Sequence, residues 1–285
     1  MKLFKSYLSL VKFSHTLFAM PFAMYGLFLG FSHTLAPINF ILLLKVIACM
    51  VFARNAAMAF NRLIDKEFDA INPRTSAREL PQKIIKDKQV LFFIGINSLL
   101  FIVTTYFINT LVFYLSPIAL FVILGYSLTK RYTFLCHFFL GLGLSLAPIG
   151  AYLTVTSEFH YIPVLVSIMV LLWTAGFDII YALQDADFDN KTGLHSIPSS
   201  IGIQKSLILS SILHGVAIIL CIVIGLLLKS GIYYYVGALV FSGALVYQHL
   251  IIKSTDLSRI NLAFFTLNGF ASLVYGTFAV LDLLL

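Results

Sequence analysis

Charge is scarce in this chain: only 11% of its 285 residues are Asp, Glu, Lys or Arg. Soluble domains average about 25% charged residues, so an ordinary soluble domain is excluded. Cysteine occurs three times and tryptophan once. Cys49, Cys136 and Cys221 lie far apart within apolar stretches. They have neither the spacing of metal ligands nor that of a disulfide framework, and they read as buried, inert thiols. There is no low-complexity tract and no separate soluble domain. What the chain has instead is apolar residues, 60% of the total, with a mean hydropathy of +0.97. That composition belongs to the membrane class. The formal net charge of +7 does not point to nucleic acid, because the charges sit in a few loops between long apolar runs.

A helix needs about 20 largely apolar residues to cross about 30 Å of hydrocarbon, and on that measure the sequence predicts an all-α polytopic bundle of about nine transmembrane helices. The runs are Phe13–Phe31, Ile38–Phe60, Val90–Ile108, Leu111–Leu128, Phe134–Thr154, Ile162–Leu183, Leu207–Leu228, Ile232–Ile252 and Asn261–Leu283. The first is too long for a signal-peptide core and is read as a membrane helix. Residues 1–285 are therefore expected to form a single membrane-embedded domain. With the N-terminus in the cytoplasm, the cytoplasmic segments collect Lys2, Lys5, Lys12, Arg62, Lys66, Arg74, Arg78, Lys83, Lys86, Lys88, Lys130, Arg131, Lys191, Lys205, Lys253 and Arg259. The opposite side keeps only Lys229, while Lys45 and Arg54 fall inside the second span. This asymmetry sets the orientation.

Two cytoplasmic loops, residues 61–89 and 184–206, are longer than the rest, and each opens with acids at a helix end. Their similar places in the two halves hint at a weak internal repeat. Asn61, Asp65 and Asp69 are spaced i, i+4, i+8. Each step of four drifts only about 40° around a helix, so their oxygens face one way. Hard oxygens in a row suit a hard cation, and magnesium binds through one or two carboxylates plus substrate phosphates. Alone, this cluster is equally a solvated helix end. Asp185 and Asp189 repeat the spacing at the end of another span, and Asp178 lies two turns before them within the apolar run. A carboxylate at a helix centre costs about 2.5–3.5 kcal/mol on insertion scales, so it faces a polar cavity and has a partner. Two such clusters can face each other across one cavity, where magnesium ions would bridge a diphosphate. Pro73 and Pro81 make it unlikely that the helix continues through residues 72–82.

Asn61-x-x-x-Asp65-x-x-x-Asp69, followed by Asn72-Pro73-Arg74-Thr75 and Arg78-Glu79-Leu80-Pro81, resembles the first signature of the UbiA superfamily of intramembrane prenyltransferases. Tyr181 through Asp189, then Gly193-Leu194-His195-Ser196-Ile197-Pro198, resembles the second. Tyr126-x-x-x-Lys130-Arg131 resembles the family's tyrosine–lysine element, and the layout of spans is similar too. The resemblance, strongest to the 4-hydroxybenzoate polyprenyltransferase branch, covers essentially the whole chain. It implies transfer of a polyprenyl chain from an allylic diphosphate to an aromatic acceptor in ubiquinone or menaquinone biosynthesis, in a bacterial inner membrane. It further implies that Asn61, Asp65, Asp69, Asp185 and Asp189 bind Mg2+ ions. Arg74, Arg78 and Lys130 would add positive charge against the leaving group, Asp178 would act as the base that ionises or hydrogen-bonds the acceptor phenol, and Tyr126 would face the allylic cation. The chain departs from many relatives at Arg62, where they carry Asp, and at His195, where they carry Lys. His195 is therefore read as a diphosphate-side contact or a bland loop residue.

Arg54 stands apart as an intramembrane arginine, a functional candidate by default. It lies seven residues before Asn61, on the same face. It is read as a contact for an acceptor carboxylate or for the diphosphate. The acceptor expected is a hydroxylated aromatic acid, 4-hydroxybenzoate first and dihydroxynaphthoate second. Lys12 and His15 are weaker candidates of the same kind. Other branches of the family, acting on haem, chlorophyll or a sugar phosphate, remain alternatives. A transporter with intramembrane carboxylates is a further alternative, although here the acids gather at helix ends.

Overall fold

The computed structural model describes Ser6, Tyr7, residues 9–11 and residues 18–285. Lys12 and His15 lie outside the described residues. So does the start of the first predicted span. Its described part is α1, Met20–Thr34. Eight further helical runs are long and apolar enough to cross a membrane. They contain α2 (Phe40–Ile64), α4 (Asp87–Tyr106), α5 (Thr110–Thr129), α6 (Cys136–Thr156), α7 (Tyr161–Ala182), α10 (Ile203–Leu228), α11 (Ile232–Ile251) and α12 (Asn268–Leu284). Short helices α3 (Lys66–Ile71), α8 (Ala186–Thr192) and α9 (Ile197–Ile201) lie between them. No strand occurs among the described residues. The molecule is an all-α, polytopic membrane protein.

The helix ends follow local chemistry. Asn39 and Asn109 accept from the first free N–H groups of α2 and α5, as N-caps do. Asn109 also donates to the Leu153 carbonyl at 2.9 Å, tying the start of α5 to the end of α6. Glycines allow close approach between helices, as small residues do in membranes. A Cβ at Gly26 in α1 would lie 2.0 Å from the Pro148 carbonyl oxygen, and one at Gly141 in α6 would lie 2.5 Å from the Leu171 carbonyl oxygen. The centre is aromatic: Phe22, Trp173, Phe241 and Tyr275 are fully buried and in ring contact. Phe40, Phe92, Phe121 and Leu239 are among many large apolar side chains left exposed, the surface expected against lipid tails.

Two parts of the chain differ from the sequence expectation. Residues 184–206 are not an open loop: a 3-10 turn (Leu183–Asp185), α8 and α9 occupy most of that stretch. Just before α12, Leu262–Leu267 forms a π-helical turn. Asn268 closes it by donating to the Ala263 and Phe264 carbonyls, and its own carbonyl accepts from Trp173 Nε1 at 2.9 Å and Gln248 Nε2 at 2.8 Å. The first long loop matches better. Helix stops at Ile71, and residues 72–86 run as successive turns whose Leu80 and Ile85 pack with Ala59, Val90 and Ile94.

Candidate active site

The first acidic segment is α2 running into α3, with a break at Asp65 (φ −88°, ψ 3°). Asn61 Nδ2 donates to Asp65 Oδ2 at 2.9 Å, and the Asp69 N–H donates to the Asp65 carbonyl at 2.7 Å. Despite the break, all three side chains border one cavity. Arg131 Nη2 donates to the Ile64 carbonyl at 2.6 Å, a cation at a helix C-terminus where the exposed carbonyls favour it. After α3 the chain turns back, and Arg78 Nη1 lies 2.7 Å from both carboxylate oxygens of Asp69.

The second segment faces the first. Arg74 grips Asp185 with two nitrogens, Nε at 3.1 Å and Nη2 at 2.5 Å, and Asn72 Nδ2 donates to the same carboxylate at 3.2 Å. Arg74 Nη1 also donates to the Tyr181 hydroxyl at 2.9 Å. Lys130 Nζ lies 2.7 Å from Asp189, which is completely buried. One turn before Tyr181, Asp178 Oδ2 is 2.7 Å from His137 Nδ1.

These residues surround a cavity of about 290 Å³. Its walls include Arg54, Asn61, Asp65, Asp69, Arg74, Arg78, Tyr126, Lys130, Asp178 and Asp185, together with Arg62 and His137. Asp189 is not in the wall. It is completely buried and pairs with Lys130, which itself lines the cavity. His195 is exposed and is also absent from the wall; its N–H donates to the Lys130 carbonyl at 2.8 Å. A second, apolar cavity of about 230 Å³ lies between α2, α4, α5 and α6. Arg54, Met58, Tyr126, Leu140 and Leu144 line both cavities. At this junction Arg54 Nε is buried without a hydrogen-bond partner among the described residues.

Asp69, Asp185 and Asp189 each pair with a cation. Asp65, just beyond the end of α2, pairs with none among the described residues. Burial first, and then the neighbouring Asp69 carboxylate, push its carboxyl up from 3.8 to about 6. Burial works against the charge on Lys130, and Asp189 outweighs it, so the Lys130 ammonium titrates above its ordinary value. Among the described residues no three His, Cys, Asp or Glu side chains converge tightly enough to hold a metal alone. The donor set nevertheless fits magnesium. It offers oxygens only, Asp65 among them is held by no cation among the described residues, and magnesium bound through one or two carboxylates would take the rest of its oxygens from substrate phosphates and water. His137 and Asn72 carry site contacts that sequence reasoning missed. A lone histidine in the first turn of α6 has no periodic signal, and Asn72 was visible only as part of a motif.

A model of the UbiA prenyltransferase family matches residues 19–270. The 4-hydroxybenzoate octaprenyltransferase of Aliivibrio fischeri (strain MJ11) is 31% identical over 226 residues, 79% of this chain and 78% of that one. The apo structure of a UbiA homolog from Aeropyrum pernix K1 superposes with a TM-score of 0.85 at 28% identity, covering 94% of this chain and 98% of that one. A UbiA homolog from Archaeoglobus fulgidus, solved bound to GPP and Mg2+, shares the fold with a TM-score of 0.73 at 20% identity, over 98% of this chain and all of that one. With the match running from within the first apolar run into the last helix, the chain belongs to the UbiA prenyltransferase family.

Proposed function

We propose that this protein transfers a polyprenyl chain from an allylic polyprenyl diphosphate to a hydroxylated aromatic carboxylic acid, with 4-hydroxybenzoate the first choice and dihydroxynaphthoate the second. The observation that carries the reading is the meeting of a polar, acid- and base-lined cavity with an apolar one at Arg54 and Tyr126. A diphosphate with a hydrocarbon tail needs both environments, and its reactive carbon lies where they join. The names of relatives such as the Aliivibrio fischeri enzyme support the acceptor.

In this reading Asn61, Asp65, Asp69 and Asp185 hold Mg2+, with Asp189 acting from behind through Lys130. Bound magnesium would supply positive charge to the departing diphosphate. Arg74, Arg78 and Lys130 exchange their carboxylate partners for diphosphate oxygens and stabilise the charge that grows as the allylic carbon–oxygen bond breaks. The face of Tyr126 turns toward the allylic cation. Arg54 takes the acceptor carboxylate, which its planar fork can bind through both oxygens. Asp178 accepts the proton that the ring loses after attack, which restores aromaticity. In this reading one domain of residues 1–285 sits in a bacterial inner membrane, and the lysine and arginine pattern supports a cytoplasmic side for the loops of residues 61–89 and 184–206. The reaction belongs to ubiquinone or menaquinone biosynthesis.

The test is an assay of purified protein with magnesium, a labelled polyprenyl diphosphate and a panel of aromatic acids, with naphthoates and a sugar phosphate included. Transfer to a hydroxylated aromatic acid is expected. Transfer only to a haem precursor, a chlorophyll precursor or a sugar phosphate would move the chain to another branch of the family.

A further inference from the structure

Of the four carboxylates in the polar wall, Asp178 is held differently from the others. Asp69 and Asp185 are each held by an arginine, and Asp65 is bonded by Asn61 beside Asp69. Asp178 is instead held by an imidazole. The tautomer of that ring can be read from its second contact. The backbone N–H of Ile197 points at His137 Nε2 at 3.3 Å. An N–H donates only to a lone pair, so this contact matches the tautomer with Nε2 bare and the ring proton on Nδ1. In that tautomer Nδ1–H donates to Asp178 Oδ2 at 2.7 Å.

The Ile197 backbone is itself fixed. The N–H of His195 donates to the Lys130 carbonyl at 2.8 Å, and Cys136 Sγ donates to the His195 carbonyl at 3.5 Å. The polypeptide at residues 195–197 is thereby clamped to the connection between α5 and α6. His137 is buried, and both its nitrogens are engaged. Asp178 Oδ1 makes no hydrogen bond among the described residues, and Asp178 lies in the cavity wall.

An arginine beside a carboxylate favours the ionised form through full opposite charge, which suits a residue that must stay charged beside a cation. A single imidazole N–H aligned on one oxygen orients a carboxylate and leaves its second oxygen open, which suits a residue that must gain a proton and lose it again. We infer that His137 is a positioning residue for the proton-removal step: its Nδ1–H, aligned by the Ile197 backbone, fixes Asp178 by one oxygen and leaves the other free to take the proton from the prenylated ring. This rests on the aromatic acceptor proposed above. In the step, the ring carbon that has bonded to the allylic carbon still carries its hydrogen. Asp178 Oδ1 takes that hydrogen as a proton, and the C–H electron pair returns to the ring. Asp178 becomes a neutral acid while the His137 Nδ1–H bond to Oδ2 persists, and the proton passes to cavity water as product leaves.

Two substitutions separate the two bonds of His137. His137→Gln places an acceptor within reach of the Ile197 N–H and removes the donor to Asp178. His137→Asn places a donor near the position of Nδ1 and removes the acceptor. Each full-length variant is purified beside the parent, checked for its unfolding temperature, and assayed with magnesium, a polyprenyl diphosphate and 4-hydroxybenzoate, protiated or deuterated on the ring. For His137→Gln the expected result is a kcat lower by about 10- to 100-fold, a part of what an oriented base contributes. The KM of both substrates should stay within about threefold, because an interaction confined to the transition state is being removed. A ring-deuterium isotope effect should emerge or grow, since proton removal becomes slower. His137→Asn should keep most of the parent kcat.

Parent-like kcat in His137→Gln would overturn the inference. So would equal losses in the two variants, or a loss accompanied by a raised donor KM and no isotope effect, which would mark a purely structural clamp. If the parent prenylates no hydroxylated aromatic acid, the functional reading fails and takes this inference with it. If the parent does so and Asp178→Asn retains full turnover, the enzyme reading stands and only the assignment of Asp178 and His137 falls.

Discussion

Arg74, from the turns after the first acidic segment, holds Asp185, from the second, through a paired contact of Nε to Oδ1 at 3.1 Å and Nη2 to Oδ2 at 2.5 Å. The two halves of the site are thus latched by an ion pair that a diphosphate would have to displace. Arg78 and Asp69 form the equivalent pair within the first half. In the proposed reaction, basic residues leave acids for phosphate oxygens, and the acids are freed for metal.

Arg74→Ala is therefore expected to weaken transition-state stabilisation as well as donor binding. Loss of one such charged donor costs about 10²–10³ in turnover. Steady-state kinetics with labelled donor at saturating acceptor measures it. Retained kcat with only a raised donor KM would show that Arg74 acts in binding alone.

Asp65→Ala should lower turnover by about 10²-fold or more, and excess chelator should abolish activity in the parent. Membrane insertion and yield should be preserved, since Asp65 makes no ion pair among the described residues. Full activity in chelator would remove the metal from the scheme.

The metal-free protein should respond to pH through the same residue. Asp65 is raised from 3.8 to about 6 by burial and by Asp69. An acid raised in the fold ionises first in the unfolded chain. Its contribution therefore favours the fold at acid pH, and that contribution is lost as pH rises through about 6. A bound cation needs the ionised form, so magnesium affinity should climb steeply up to about pH 6 and then level off. Magnesium should accordingly raise the unfolding temperature more at about pH 8 than at about pH 5. An equal shift at both values would show that Asp65 is not a ligand.

Arg54→Ala should discriminate between acceptors. A hydrogen bond to a charged group contributes about 1.5–3 kcal/mol, a factor of about 10 to 150. The variant should lose about that much kcat/KM for the aromatic acid and little for the corresponding phenol lacking the carboxylate. If the parent uses the phenol as well as the acid, Arg54 serves the diphosphate or the fold.

Packing offers a prediction independent of function. Gly141→Ala would press a methyl against the Leu171 carbonyl, whereas Gly215 has nothing within 4 Å of its Cβ position. Overpacking costs about 1–3 kcal/mol, so Gly141→Ala should unfold at a lower temperature in detergent and Gly215→Ala should not. Equal unfolding temperatures would mean that α6 and α7 can separate without cost.

The sequence made the bundle legible because apolar runs of the required length are bounded by charge, and it made Asn61, Asp65, Asp69 and Asp185 legible because their spacing follows helical rotation. Asp189 has the same spacing yet lies outside the cavity wall, buried against Lys130. Spacing along a helix tells which side chains share a side, but not which of them a cation from another helix will cover. The polar stretch of residues 184–206 looked like a loop because hydropathy registers burial in lipid and not short helices that sit beside a cavity. His137 could not be found from pattern at all. Its meaning comes from a carboxylate 41 residues later and a backbone N–H 60 residues later, and only the tertiary fold brings those together.

The π turn at Leu262–Leu267 carries a different kind of consequence. A wide turn holds one residue more than the α-helical ladder would, and here Asn268 bridges that slack to Trp173 and Gln248. Deleting one residue within the turn would let the ladder run regularly, yet everything after it would rotate by about 100°. Ala271, Tyr275 and Ala279 would swing from the core toward lipid, while Phe264 would lose its stack on Tyr181, the ring that Arg74 also touches. The last helix is thus phased to the site by a single surplus residue, and in this stretch the length of the chain is as constrained as its composition.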